Sequence, residues 1–335
     1  MNTRLLQILD GMKGKRILVW GDLICDEYIH GEVWRISREA PVLILKKTGT
    51  EYHLGGAANA ANNLAALEAE VSVMGVVGED GYQKRLLSLL KEKNIDTSGV
   101  TVDKKFSTIS KTRIMAGGLN RPKQQVIRID DGEKIDSDSR KISSRFREYL
   151  RSVKSSIDGV IVSDYSYGTV NSEIYDELVE ELSKKNIPVT VDSRFDLVRY
   201  KNATLLTPNE EEVAHALGTA PEEVEKDILT MGKRVLRQLN PKILVLTRGR
   251  KGMEVFEEGE KPRHIPIHGS DEVTDVTGAG DTVCSVATLA LSCGASGYEA
   301  AQLANYAAGM VVMKMGCATV TTEELKKALK SEKEI

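Results

Sequence analysis

An octapeptide at residues 275–282, DVTGAGDT, combines residue types that suit phosphoryl transfer. It directly precedes an apolar stretch with helical spacing. Glycine allows a tight turn of consecutive amides, which together with a helix dipole stabilise negative charge on a phosphoryl group. Asp281 stands where it can accept a proton from an attacking hydroxyl. The tetrapeptide at residues 278–281, GAGD, would by itself fit a simple turn, but the whole octapeptide before a helix favours catalysis. The charge-stabilising turn would comprise Gly278, Ala279 and Gly280.

The octapeptide resembles the second signature of the ribokinase-like (PfkB) carbohydrate kinases. Three other segments resemble that family's motifs in the same order: a Gly-Gly with a small-residue helix, an Asn-x-x-Glu motif and a Thr-x-Gly-x-x-Gly loop. They lie at residues 55–64, 209–212 and 247–252. The resemblance implies an α/β fold of three α/β/α layers, with a central, mostly parallel sheet and a small β lid. It also implies an ATP-dependent sugar kinase with Asp281 as the catalytic base.

The first of these segments would contact the sugar. Backbone amides after Gly55 and Gly56 can approach hydroxyl groups closely. Asn59 both donates and accepts hydrogen bonds, which suits a polyol. Helix packing through small residues is the structural alternative.

The other two segments would bind the nucleotide and its metal. Asn209 and Glu212 would hold Mg²⁺ largely through waters, because this ion gives up its hydration shell reluctantly. A capped helix start after Pro208 explains the same residues, and both interpretations can hold together. The resemblance leaves open a monovalent cation such as K⁺.

A Thr-Gly loop would complete the nucleotide side. Thr247, Gly249 and Gly252 would face the phosphates of ATP, unless they form an ordinary strand-to-hairpin turn. Asn305, in a small-residue helical segment at 302–309, would flank the base or simply pack.

Further segments resemble a narrower group, the kinases that act on D-glycero-D-manno-heptose 7-phosphate and serve ADP-heptose synthesis for lipopolysaccharide. In many bacteria such a kinase is fused to a nucleotidyltransferase. Few residues follow the last kinase motif here, so the resemblance implies the stand-alone form. Residues 192–194 and 117–120 depart from that group's pattern. The resembling segments are 21–28, 35–42, 163–165, 204–209 and 309–312.

This narrower resemblance implies phosphorylation of the anomeric hydroxyl to give the 1,7-bisphosphate. The phosphate at the far end of the sugar carries nearly two negative charges and needs fixed cations. Asp22 and Asp26 would instead accept hydrogen bonds from sugar hydroxyls. Solvated surface side chains are the alternative for the cations. The candidate cations are Arg35, Arg38, Lys111, Arg113 and Arg194, with Lys123 and Arg128 as further basic residues nearby.

Two other functions remain open at this point. A ribokinase-like kinase for another substrate, such as fructose or 2-keto-3-deoxygluconate, would not need the cation cluster. A sugar-sensing regulator could keep the fold and lose catalysis. The sequence keeps the candidate catalytic and metal-binding residues Asp281, Asn209 and Glu212, which argues against the regulator.

Composition narrows the class of protein. The 335 residues are 41% hydrophobic with a formal net charge of −3, which supports a large core and argues against a nucleic-acid partner. No apolar run approaches membrane-spanning length, and the charged N-terminus lacks signal-peptide features, so we expect a cytoplasmic protein without a membrane partner. The four cysteines lack CxxC spacing, and we expect free thiols and no zinc site.

Alternating strand and helix patterns must position these residues. We expect strands at 16–20, 71–75, 159–163, 188–191 and 243–246, and helices at 57–67, 82–93, 172–185, 222–239, 279–293, 297–314 and 322–332.

Two segments break this alternation. Residues 28–53 and 106–131 alternate apolar and polar residues and read as antiparallel strands inserted into one kinase domain at 1–335. They would form a lid over a cleft, or else a surface hairpin. Their exposed strand edges need a partner, so we expect a homodimer that pairs lids across a two-fold axis.

Overall fold

The computed structural model describes residues 2–117, 124–269, 275–314 and 316–331, and they form two sheets. The larger sheet has nine strands in the order β13-β12-β11-β10-β9-β8-β1-β4-β5. Pairs from β5 through β11 are parallel, and only the β12 and β13 edge is antiparallel. The strands are β1 (Arg16–Gly21), β4 (Glu70–Val77), β5 (Asp96–Val102), β8 (Gly159–Asp164), β9 (Val189–Ser193), β10 (Leu205–Leu206), β11 (Ile243–Thr247), β12 (Met253–Glu257) and β13 (Arg263–Ile265).

Helices cover both faces of this sheet, which confirms the predicted layered α/β fold. Strand side chains alternate between faces, so β1 places Ile17 and Val19 in one core and Leu18 and Trp20 in the other. The helices are α1 (Asn2–Asp10), α2 (Ala57–Ala66), α3 (Gly81–Glu92), α4 (Arg140–Val153), α5 (Ser172–Ser183), α6 (Glu210–Leu217), α7 (Pro221–Lys226), α8 (Ile228–Leu239), α9 (Ala279–Ser292), α10 (Gly297–Val311) and α11 (Thr322–Ser331).

One predicted helix was wrong. The segment 222–239 is not continuous, because Asp227 leaves the helical conformation at φ −139° and ψ 62°. Its side chain accepts a hydrogen bond from the amide of Thr230 and caps a second helix. The chain therefore turns between α7 and α8.

The second sheet has four strands in the order β3-β2-β6-β7 and is called the small sheet below. Strand β2 pairs antiparallel with β3, and β6 pairs antiparallel with β7. The central pair, β2 and β6, is parallel, so the expectation of antiparallel strands throughout was wrong. Gly118 to Asn120 and Lys123, singled out from the sequence, lie outside the described residues. The strands are β2 (Leu23–Ile36), β3 (Leu43–Gly56), β6 (Ser110–Gly117) and β7 (Gln124–Asp131).

Candidate active site

A cavity of about 700 Å³ lies between the small sheet and the carboxyl ends of the parallel strands. Ligands of open α/β sheets bind at this end because strand termini and the following loops converge there. Asp164, Asp192 and Thr247 reach the cavity from the ends of β8, β9 and β11. Asp26 and Lys111 reach it from the small sheet.

Asp281 lines this cavity from the first turn of α9 and is only 4% exposed. Its two carboxylate oxygens have different partners. The amide Nδ2 of Asn59 donates to Oδ2 at 2.6 Å, and the hydroxyl of Tyr165 donates to Oδ1 at 3.1 Å. Each oxygen of the carboxylate therefore accepts one hydrogen bond from a neighbouring side chain.

The environment also adjusts the basicity of Asp281. Burial raises its pKa to about 6, while the hydrogen bonds from Asn59 and Tyr165 act in the opposite direction. A carboxyl group with this pKa is ionised at neutral pH and is more basic than an exposed aspartate. These are the properties of a general base.

The glycine turn before α9 depends on Gly278. Its φ of 79° is left-handed, and an added Cβ would lie 2.7 Å from Nδ2 of Asn59. Gly280 also lines the cavity, and a Cβ there would meet nothing within 4 Å. Ala279 is not among the lining residues, and its amide donates to the carbonyl of Val276. The turn thus lies beside the cavity at the start of α9, where the first backbone amides of a helix have no partner within the helix.

Gly55 and Gly56, which the sequence analysis proposed as sugar contacts, line the cavity at the end of β3. A Cβ on Gly55 would lie 2.7 Å from Oδ2 of Asp26, and one on Gly56 would lie 2.6 Å from the carbonyl of Asp22. Asn59 instead lies buried behind the base, and its Oδ1 has no hydrogen-bond partner among the described residues. Its clearest contact is with Asp281 rather than with the open cavity.

Asp22 does not face the cavity, which corrects its predicted role as an acceptor for sugar hydroxyls. It is fully buried, and its carboxylate accepts hydrogen bonds from the amides of Tyr165, Tyr167 and Thr169. Asp22 therefore holds the loop after β8 in place. Asp26 does line the cavity, and Arg113 donates to its Oδ1 at 2.8 Å.

The predicted cations divide into two groups. Lys111, Arg113, Arg128 and Arg194 line the cavity. Lys111 is 8% exposed, and burial lowers its pKa. Neither Lys111 nor Arg194 forms a salt bridge with any residue that the structure describes.

Arg35 and Arg38 belong to the other group. Both are exposed, at the outer end of the small sheet and just beyond it, and neither lines the cavity. Arg35 stacks on the neighbouring Trp34 at 4.9 Å. Their predicted contact with a substrate phosphate is therefore not supported by this geometry.

Asn209 and Glu212 line the opposite end of the cavity and form a capping box at the start of α6. Asn209 Oδ1 accepts from the amide of Glu212, and Glu212 Oε2 accepts from the amide of Asn209, both at 2.9 Å. Burial raises the pKa of Glu212 to about 7. The helix-start interpretation is thus correct, and the second oxygen of Glu212 is left for a ligand.

The donor set at this end suits a hydrated magnesium ion. Asp192 and Glu212 supply carboxylate oxygens, and Thr207 supplies a buried hydroxyl. Mg²⁺ prefers such oxygen donors and usually keeps waters or binds phosphate oxygens as well. No group of three or more His, Cys, Asp or Glu in the described ranges encloses a metal by itself.

Of the other four residues predicted to bind the nucleotide, one lines the cavity and three do not. Thr247 lines the cavity, whereas Gly249 and Gly252 form the turn between β11 and β12. Gly252 has φ 80°, and a Cβ there would clash with the carbonyl of Ile265 at 2.0 Å. Asn305 donates to the carbonyl of Pro266 at 2.8 Å and does not line the cavity.

Several lining residues belong to no motif that suggested a chemical role. Tyr165 and Asp192 stand at or directly after strand ends that the apolar runs did reveal. The rule that strand ends form the site could have selected them. Cys317 could not be found this way, because it approaches Asp26 from a distant part of the chain, with Sγ 3.6 Å from Oδ2.

Comparison with known proteins finds relatives that are similar over most of this chain. The pfkB family carbohydrate kinase model matches residues 15–324. The bifunctional protein HldE of Geobacter sulfurreducens is 39% identical over 92% of this chain and 61% of its own length. That of Histophilus somni is 38% identical over 94% and 63%. The chain thus spans about three fifths of the length of these relatives.

Solved structures share the fold at low sequence identity. Arabidopsis thaliana ribokinase complexed with ribose and ATP matches with a TM-score of 0.67 at 20% identity, over 95% of this chain and 99% of its own. Phosphofructokinase-2 of Escherichia coli matches with a TM-score of 0.72 at 17% identity, with the same coverage. Across the described ranges, no helix has the length and apolar character to cross a membrane. The chain belongs to the pfkB family of carbohydrate kinases, phosphotransferases that use ATP and act on a sugar.

Proposed function

We propose that this kinase transfers the γ-phosphoryl group of ATP to the anomeric hydroxyl of D-glycero-D-manno-heptose 7-phosphate, giving the 1,7-bisphosphate. One observation carries the proposal. A single cavity holds the buried carboxylate of Asp281 and two cations, Lys111 and Arg194, that form no salt bridge with the described residues. A sugar with a hydroxyl at one end and a phosphate at the other matches this arrangement. The product would then serve ADP-heptose synthesis.

Asp281 would act as the general base. It takes the proton from O1 of the sugar as O1 bonds to the γ-phosphorus, and the bond to the β,γ-bridging oxygen breaks so that ADP leaves with the electron pair. An anomeric hydroxyl is more acidic than an ordinary alcohol, so one carboxylate suffices. The amides at the start of α9, near Gly278 and Gly280, stabilise the charge on the transferring group.

Asn209 and Glu212 would hold Mg²⁺ on the nucleotide side, with Asp192 and Thr207 close to the same end of the cavity. When bound, the ion neutralises negative charge on the phosphates of ATP. The capping box fixes Asn209 and Glu212 in their positions and leaves one Glu212 oxygen available.

The phosphate end of the sugar would bind to Lys111 and Arg194, and Arg128, which pairs with Asp130 at 2.8 Å, lines the cavity with them. Lys111 and Arg128 approach from β6 and β7, and Arg194 approaches from the end of β9. Arg113 already forms a 2.8 Å salt bridge with Asp26, so its role would be to orient that carboxylate toward sugar hydroxyls. Charge-assisted hydrogen bonds from several directions select a phosphate over a neutral group.

A coupled assay of ADP release against a panel of sugars tests the substrate. The heptose 7-phosphate should be turned over, and the unphosphorylated heptose should be a far poorer substrate. Efficient turnover of fructose or 2-keto-3-deoxygluconate, with no turnover of the heptose phosphate, would overturn the substrate assignment and leave the kinase assignment intact.

We also propose that the chain forms a homodimer through the small sheet, which serves as a lid over the cavity. Trp34 is 67% exposed, and other large apolar side chains of the same sheet are exposed too. An exposed apolar sheet surface is a liability unless it is covered. These residues are Val33, Ile36, Leu43, Val126, Ile127 and Ile129.

Light scattering tests this assembly. The native chain should have the mass of a dimer at micromolar concentration, and Trp34→Glu should yield a monomer. Met313→Glu, at an exposed apolar position outside the small sheet, is the matched control and should remain dimeric. A monomeric native chain would overturn the proposal.

A further inference from the structure

Tyr165 contacts both Asp281 of the α/β body and Lys111 of the small sheet, and the reaction outlined above gives it no role. It follows β8 directly, and its backbone amide donates to Oδ2 of Asp22 at 2.8 Å. Its hydroxyl donates to Oδ1 of Asp281 at 3.1 Å. The ammonium group of Lys111 lies 4.9 Å from the centre of its ring.

We infer that Tyr165 is a positioning residue that fixes the orientation of the Asp281 carboxylate for proton transfer, an inference that rests on the proposed role of Asp281 as the base. Asn59 alone would leave rotation of the carboxylate about the Cβ–Cγ bond weakly restrained. A second donor, on the other oxygen, removes that freedom. The lone pairs that remain on the two oxygens then face a defined direction.

The position of the Tyr165 hydroxyl is itself fixed from two sides. The buried carboxylate of Asp22 holds the backbone of the loop through three amides. The Lys111 cation over the ring restrains the side chain and polarises the phenol, which strengthens its O–H as a donor. A general base must be held in hydrogen-bonding geometry, and these contacts supply it.

Tyr165 stays a donor across the working pH range. Burial, followed by the charge of Asp281, raises the pKa of its hydroxyl well above the ordinary value. The hydroxyl therefore carries its proton whenever Asp281 is ionised, and it stabilises the ionised form. Titratable groups that face Asp281 from the surrounding elements are Asp26 and Lys111 of the small sheet, Asp192 of β9, Cys284 of α9 and Cys317.

The test compares Tyr165→Phe with Tyr167→Phe by steady-state kinetics with heptose 7-phosphate across pH. Tyr167 is the matched control because it lies in the same loop, donates its amide to Asp22 and does not line the cavity. In Tyr165→Phe, kcat should fall about tenfold while KM for the sugar changes less than about twofold. The acid limb of kcat should move up by roughly one pH unit, because the ionised carboxylate loses a donor. Tyr167→Phe should match the native enzyme.

Other outcomes separate this inference from the proposed function. An unchanged kcat and acid limb in Tyr165→Phe would overturn the inference. So would equal losses in both variants accompanied by equal drops in melting temperature, since these indicate a purely structural loop. Asp281→Asn, measured alongside, tests the base itself, and retained turnover there would sink the proposed mechanism. If heptose 7-phosphate is not a substrate, the same profiles are measured with the panel sugar that gives ADP release.

Discussion

The two walls of the cavity are built differently. On the α/β body, Asp281 is buried, and the turn before it depends on backbone that only glycine allows at Gly278. On the small sheet, cations such as Lys111 are held near the cavity, and the same strands run outward to exposed residues such as Trp34. In the mechanism proposed above, the body wall supplies the base and the charge-stabilising turn through fixed backbone. The small sheet offers replaceable side chains, which suits selection of the substrate.

The largest effect is expected on the body wall. Asp281→Asn keeps the shape of the side chain but cannot take a proton, so kcat should fall at least ~100-fold with substrate binding largely kept. Stopped assays of ADP release and calorimetric binding would measure the two quantities. Near-normal turnover in the purified variant would refute the role of Asp281 and with it the contrast between the walls.

On the small sheet the expected effect is on binding. Lys111→Met should raise KM for the phosphorylated sugar by roughly tenfold or more, because a charge-assisted contact to phosphate is lost. KM for an unphosphorylated sugar should hardly change. Lys46→Met, on an exposed position of the same sheet, is the control. Equal effects on both sugars would place Lys111 outside the phosphate site.

The pH dependence of the native enzyme tests the body wall again. Burial raises the pKa of Asp281 in the free enzyme to about 6, so kcat/KM should fall about tenfold per pH unit below that value as the carboxylate becomes protonated. For the same group, the folded state binds the proton more tightly than the unfolded chain does. Its contribution to the free energy of unfolding therefore decreases as pH rises from about 4 to 6. A rate that stays flat down to pH 5 would contradict this assignment.

A smaller, several-fold effect is expected at the nucleotide end. Glu212→Gln should raise the magnesium concentration needed for half-maximal rate, since a charged oxygen is lost. Glutamine still accepts the capping hydrogen bond from Asn209, so stability should be kept. Glu222→Gln, on exposed α7, serves as the control. An unchanged magnesium titration would leave Glu212 as a helix-start residue only.

The smallest effect is expected for the cations of the small sheet that do not line the cavity. Arg35→Ala and Arg38→Ala should each change KM for the phosphorylated sugar by less than about twofold, because exposed cations away from a ligand contribute little. A loss comparable to that of Lys111→Met would mean that the outer sheet folds over the substrate. The distinction between inner and outer cations would then fail.

Local patterns determined most of the body. The segment 16–20 could be identified as a buried strand from its sequence alone. Both faces of β1 are covered, and such strands appear as nearly continuous apolar runs. DVTGAGDT marked its own helix start and the position of Asp281. The helix α4 was missed, although Ile142, Phe146 and Leu150 repeat at four-residue spacing.

Tertiary structure decided which charged residues share a site. Sequence alone placed Asp22 and Asp26 together as sugar ligands, yet three amides of the loop after β8 occupy Asp22 and leave only Asp26 on the cavity. Arg35 and Lys111 were equal candidates until the strands put one at an exposed end and the other beside Tyr165. Motifs record local backbone requirements, whereas contacts between distant segments such as Tyr165 and Asp281 depend on how the strands pair and where the loops return.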